Sequence, residues 1–195
     1  MLRNASGSGG ILPPEYQQVE WIQNTNKAFF GLSGLHPDGI DITLSVNEYE
    51  LGCGAFGYYT PSDSFEMQSF DGGTYLYYGK PTLLSYNLGS VIANPTNIQI
   101  LERKLYVNST YVATANNAPT NPDNRNFGVF CLLNSRNENK ALNGTKIYKM
   151  KLYQEGGLIA DLVPCYRKYD SAVGMYDTVS QTFFTKAGFT KGADV

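Results

Sequence analysis

Histidine is almost missing from this chain. His36 is the only one in 195 residues, and it lies in the turn-like run Gly34-Leu35-His36-Pro37-Asp38-Gly39. A Ser-His-Asp triad needs a histidine beside its nucleophile, and no Gly-x-Ser-x-Gly elbow accompanies this one. Cysteine is scarce as well. Cys53, Cys131 and Cys165 are widely spaced and form no Cys-x-x-Cys, so a histidine- or thiolate-based metal site has no support. Their odd number and apolar surroundings argue against a disulfide framework. They suit small buried hydrophobes in a protein assembled in a reducing cytoplasm.

Charge is thin: 16% of residues are charged and the net charge is −2. A dedicated nucleic-acid binder shows a basic stripe, so nucleic acid is not an expected partner. No apolar run approaches the ~18 residues of a membrane-spanning helix. The opening run Met1–Gly10 lacks the apolar centre of a signal peptide, so neither a membrane nor secretion is expected. Convincing amphipathic helices, internal repeats and a phosphate-cradling glycine loop ahead of a helix are missing too. The glycines of Gly52-Cys53-Gly54-Ala55-Phe56-Gly57 sit among strand formers, where glycine marks a bulge or tight sheet packing.

What the chain does have is aromatics and alternation. There are 15 Tyr and 10 Phe, which pack well on pleated surfaces. Ile40, Ile42, Leu44 and Val46 alternate with Asp41, Thr43 and Ser45. Tyr148, Met150 and Leu152 alternate with Lys149 and Lys151, which puts the first three on the core face of a half-buried strand. Further strands are expected over 51–60, 65–70, 74–79, 83–88, 98–101, 104–107, 111–115, 127–133, 158–167, 172–176 and 182–185. Turn signals separate them, among them Asn108-Ser109-Thr110 and Glu155-Gly156-Gly157, whose glycines can take positive φ. Short strands at this spacing predict an all-β, antiparallel two-sheet sandwich over residues 12–195. A domain of that size buries about 70% of its unfolded surface. Residues 1–11 form a separate Gly/Ser-rich arm, and Leu2, Arg3 and Ile11 of the arm, with Leu12 where it meets the domain, are the residues that could dock on a partner.

Two segments resemble a known family. The C-terminal run GGLIADLVPCYRKYDSAVGMYDTVSQTFFTKAG, ending at Gly188, is similar to the closing signature of concanavalin A-like (laminin-G-type) jelly-roll domains. These occur in tailed-phage virion proteins and gut-bacterial surface proteins. The N-terminal LPPEYQQVEWIQNT resembles the opening of the same domains. The hairpin Leu105-Tyr106-Val107-Asn108 resembles another recurrent element. One departure stands at Asn26-Lys27-Ala28-Phe29-Phe30, where such domains carry a Gly-Thr-Gln-Tyr-Ile-Asp-like strand.

The resemblance implies a jelly-roll fold and raises three functions. Laminarinase-like relatives hydrolyse glycosides with a Glu-x-Asp-x-x-Glu strand, a pattern this chain lacks. Glu48 and Glu50, two apart on an expected strand, are the only carboxylate pair to name. Lectin-like relatives often bind Ca²⁺ through loop oxygens. Asp63, Asp71, Asn121, Asp123 and Asn124 supply candidates but no spaced ligand motif, so no cofactor is expected. The remaining feature is a tyrosine-rich surface, with Tyr58, Tyr59, Tyr75 and Tyr77 as candidate ligand-binding residues. Such a face can stack on a sugar, cover a sheet or meet a neighbouring subunit. The expectation is therefore a non-enzymatic virion structural protein: a capsid decoration, head-fibre or tail-appendage module on the virion surface. Its partners would be other virion proteins through the arm, a second copy of itself, and a host-surface glycan. The alternatives are a carbohydrate-binding adhesion domain of a bacterial surface protein and a glycoside hydrolase.

Overall fold

The computed structural model describes residues 12–79, 84–121, 124–134 and 139–195, with backbone alone for Asn134 and Asn139. Among the described residues strands make up 59% and there is no helix. The larger sheet is built on β4 (Gly39–Val46), β9 (Ile92–Leu101), β10 (Lys104–Val107) and β11 (Thr110–Thr114) on one side. It continues through β15 (Thr145–Gln154), β16 (Gly157–Arg167), β17 (Val173–Asp177) and β18 (Thr182–Thr185) on the other. The order is β11-β10-β9-β4-β15-β16-β17-β18. Three short strands join it: β1 (Tyr16–Gln18) pairs with β16, and β2 (Ile22–Asn24) pairs with β15 and with β19 (Phe189–Lys191).

The smaller sheet runs β14-β13-β5-β6-β7-β8. It comprises β5 (Gly54–Tyr59), β6 (Ser64–Phe70), β7 (Gly73–Tyr78), β8 (Leu84–Asn87), β13 (Leu132–Asn134) and β14 (Asn139–Lys140). β12 (Phe127–Val129) links β5 to β3 (Phe30–Leu32). Pairing is antiparallel, except that β13 lies parallel to β5.

The core sits between the sheets. Ile40, Ile42, Leu44 and Val46 of β4 are fully buried, as their alternation requires, and Ile98, Ile100, Met150 and Leu152 join them. Phe56, Tyr58, Phe65, Met67, Leu76 and Tyr78 face them from the smaller sheet in one continuous cluster. Cross-sheet contacts include the parallel rings of Phe30 and Phe184, 4.9 Å apart, and the Tyr78 hydroxyl donating to the Asp38 carbonyl at 2.6 Å.

Several expectations need correction. Ile147, not Tyr148, points into the core at the start of β15. The register against β4 slips between Ile147 and Lys149, so Tyr148 is the extra residue of a β-bulge and the inward set shifts by one. The expected strand 127–133 is broken into β12 and β13 by Phe130, whose φ is 64°. That conformation is costly for a bulky side chain. The Phe130 ring is held in the core against Phe189 at 5.1 Å and Phe30 at 6.3 Å. In the β15–β16 turn the positive φ values fall on Glu155 and Gly156, not on Gly157. Asp71-Gly72, Glu102-Arg103 and Asn108-Ser109 do the same at their hairpins, the primed-turn geometry that matches strand twist.

Of the arm residues, Leu2, Arg3 and Ile11 lie outside the described residues. Leu12 is half-buried ahead of the turn in which the Tyr16 amide donates to the Pro13 carbonyl.

Candidate functional site

The sequence-derived tyrosine set separates into two environments. Tyr58 is fully buried on the inner face of β5, so it cannot offer its ring to a ligand. It follows Phe56 at the two-residue spacing of the core face, and its hydroxyl donates to Asp63 Oδ2 at 3.3 Å. Burial, then the Asp63 charge, push its phenol well above the usual range. Tyr59 lies half-buried at the end of β5, opposite Ser64 of β6 and Asn134 of β13.

Tyr75 and Tyr77 are brought together on the outer face of the smaller sheet. β7 places Leu76 and Tyr78 inward and these two outward, half-exposed. Their rings lie 5.9 Å apart and 19° from parallel. Register puts Gln68 of β6 and Asn87 of β8 on either side of Tyr75, and Glu66 and Ser85 on either side of Tyr77. Asn87 Nδ2 donates to the Tyr75 hydroxyl at 3.1 Å. Burial, then the Glu66 charge, hold the Tyr77 phenol above its ordinary pKa, so it remains a neutral donor. The result is a small aromatic platform edged by the Gln68 and Asn87 amides, the Ser85 hydroxyl and the Glu66 carboxylate.

The candidate carboxylates do other work. Glu48 and Glu50 fall in the loop after β4, not on a strand. Glu50 pairs with Lys27, whose ammonium hydrogen bond lowers its pKa, and Glu48 accepts from Asn143. Asp63 is buried and clamps a loop. Its Oδ2 accepts from the amides of Thr120 and Asn121 and from the Thr120 hydroxyl, and its Oδ1 accepts from the Ser64 amide. Asn121 Oδ1 accepts from the Arg125 amide, and its Nδ2 faces His36 Nδ1 at 2.9 Å. Oxygens that receive so many N–H donors are poorly placed to receive a cation. Asp71 is at the exposed β6–β7 turn and Asn124 is in the loop before β12, while Asp123 lies outside the described residues. Among the described residues no group of three His, Cys, Asp or Glu could hold a metal ion.

A second polar surface was not visible in the sequence. On the outer face of the larger sheet, Asp41 accepts from Lys149 at 2.9 Å and from Asn97 Nδ2 at 2.8 Å, while Lys151 approaches Asp161 at 3.3 Å. Asp41 lies 108 residues from Lys149 and 56 from Asn97, so only strand pairing brings them together. The outward alternation of Asp41 and Thr43 in β4 and of Lys149 and Lys151 in β15 was legible in the sequence; their pairing was not. No family model, curated protein or solved structure matches the chain.

Proposed function

We propose that this chain is a non-enzymatic recognition module of a tailed-phage virion, a concanavalin A-like jelly roll that meets a host-surface glycan. The observation that carries the recognition half is the Tyr75–Tyr77 pair, two near-parallel rings flanked by Gln68 and Asn87. A saccharide has an apolar C–H face and a rim of hydroxyls. A paired aromatic platform takes the face, and planar amides take hydroxyls as both donors and acceptors. The jelly-roll topology is supported by the chain's path: it leaves the larger sheet after β4, builds β5 to β8 of the smaller one, and returns as β9 to β11. The virion setting rests on the resemblance of the two terminal segments. There the arm of residues 1–11 ties the domain to other virion proteins, as a capsid decoration, head fibre or tail appendage.

Two measurements test the two halves. Mass spectrometry of purified particles should find the chain in stoichiometric amount; its absence removes the virion reading. On a glycan array the purified protein should retain at least one saccharide. Tyr75→Ala with Tyr77→Ala should weaken that binding about tenfold or more, 1.4 kcal/mol per decade, without loss of folding. Undiminished binding by the double variant rules out the platform as the site.

A further inference from the structure

A cleft of about 900 Å³ opens at the end of the sandwich, away from the Tyr75–Tyr77 platform's outer face. Three parts of the fold make it. The Glu102-Arg103 turn joins β9 to β10, the Glu155-Gly156 turn joins β15 to β16, and Asp38-Gly39 leads into β4. Ala118, from the segment after β11, closes one side. The buried Tyr78 contributes from the smaller sheet.

The walls are built before any ligand arrives. Asp38 Oδ2 accepts from the Glu155 amide at 3.0 Å, and the Asp38 amide donates to the Tyr153 carbonyl at 2.9 Å. The Arg103 guanidinium donates to the Asn116 carbonyl at 2.7 Å, and the Ala115 amide donates to the Arg103 carbonyl at 2.8 Å. These bonds tie each turn to its neighbour. A preformed concave site with aromatic walls and a few convergent polar groups is the usual form of a small-ligand pocket, and its volume lies within the range of about 300–1,000 Å³ for such sites.

The lining points to one class of ligand. Tyr106, which packs edge to face on Tyr111, and Tyr153 line the cleft with aromatic rings, and Gln99 between their strands offers an amide that both donates and accepts. Burial, then the Asp41 charge, hold the Tyr153 phenol in its protonated form. Charges of both signs line the rim: Arg103 and Lys104 against Asp38, Glu102 and Glu155. Arg103 and Asp38 are already engaged in the bonds above. Three carboxylates stand against two cations, so an anionic ligand would lose hydration without a surplus of positive charge to replace it.

We infer that this cleft is a second recognition site, separate from the tyrosine platform, and that it takes a saccharide unit without an anionic group. The inference rests on the glycan reading of the protein but on different residues. Two sites would let one molecule hold a polymeric glycan at two points, raising avidity without new contacts.

The test is a ¹⁵N NMR titration of the full chain with cellohexaose, maltohexaose and chitohexaose at millimolar concentration. A sulfated galactan oligosaccharide is the charged comparison. The Gly39 and Gly156 amides report on the cleft, and the Asn87 side-chain amide reports on the platform. At least one neutral probe should shift the cleft amides. Gln99→Ala, and separately Ala118→Phe, which fills the cleft without removing a contact, should weaken that binding about tenfold and leave the Asn87 response unchanged. A platform that responds while the cleft stays silent to every neutral probe overturns the inference and spares the proposed function. A cleft that responds while the platform is silent upholds the inference and removes the platform. Tighter cleft binding of the sulfated probe than of any neutral one overturns the non-anionic class.

Discussion

At the scale of single residues, burial decides chemistry. Cys131 and Cys165 are wholly buried, and that burial pushes both thiols up to about 12. Cys53 is raised too, by burial and then by the Glu50 charge. Thiols held in the protonated form are poor nucleophiles. The native protein should therefore resist Ellman's reagent at neutral pH and react only when unfolded; rapid labelling of the folded chain contradicts this burial. The same shifts predict alkaline sensitivity. An unfolded thiol ionises near pH 8.5, while these two stay protonated to about 12 in the fold. The unfolded state thus binds fewer protons across that window, and stability is full below it and falls as pH rises through it. Buried Tyr58 and Tyr78 act in the same direction at higher pH. Chemical denaturation at pH 7 and pH 10 should show a lower midpoint at the higher pH. Asp63 is the other residue on which much depends. Asp63→Ala would leave the Thr120 and Asn121 amides without their acceptor, at about 1–3 kcal/mol for each group left unsatisfied. An unchanged denaturation midpoint would show that the loop finds other partners.

At the scale of elements, β15 sets the inward face of the larger sheet, and its bulge sets which residues belong there. Met150 is fully buried and Tyr148 is not. Met150→Asp buries an unpaired carboxylate and should cost several kcal/mol, whereas Tyr148→Asp should be tolerated. Equal effects in thermal melts would contradict the bulge. In the smaller sheet Gly57 fixes how closely β5 and β6 approach. Its φ of 112° lies where L side chains are rare, and a Cβ there would meet the Phe65 carbonyl oxygen at 2.1 Å. The obstacle is backbone, so β5 and β6 would have to separate for any larger residue.

For the whole molecule, the two ends of the described chain hold one another. β19 pairs with β2, the Glu20 amide donates to the Ala193 carbonyl, and the Val195 amide donates to the Gln18 carbonyl. Phe184 of β18 stacks on Phe30 of the other sheet, and Met175 of β17 is in the core. Deleting residues 172–195 removes all of these contacts and leaves the long β16 with an open edge. Open edges pair with other chains, so the truncated protein should aggregate or lose its cooperative unfolding transition. A soluble, cooperatively folding truncation would show that the C-terminal strands are dispensable.

The sequence alone determined the class of this fold and most of its strands. Period-two alternation in β4 named its inward residues, because side chains on a strand must alternate and one face must be buried. β10 and β18 begin and end where turn residues place them. Alternation, however, counts residues and cannot see an inserted one, so the bulge at Tyr148 and the break at Phe130 depended on the partner strand and the core. The candidate sites divide in the same way. That Tyr75 and Tyr77 share one face was legible because they are two apart on one strand, whereas the burial of Tyr58 depends on the sheet opposite and not on the residue. Asp41 with Lys149, and the Gln99–Tyr106 hairpin pair with Tyr153, come together only when distant strands pair, so only the tertiary structure could assemble the polar face and the cleft.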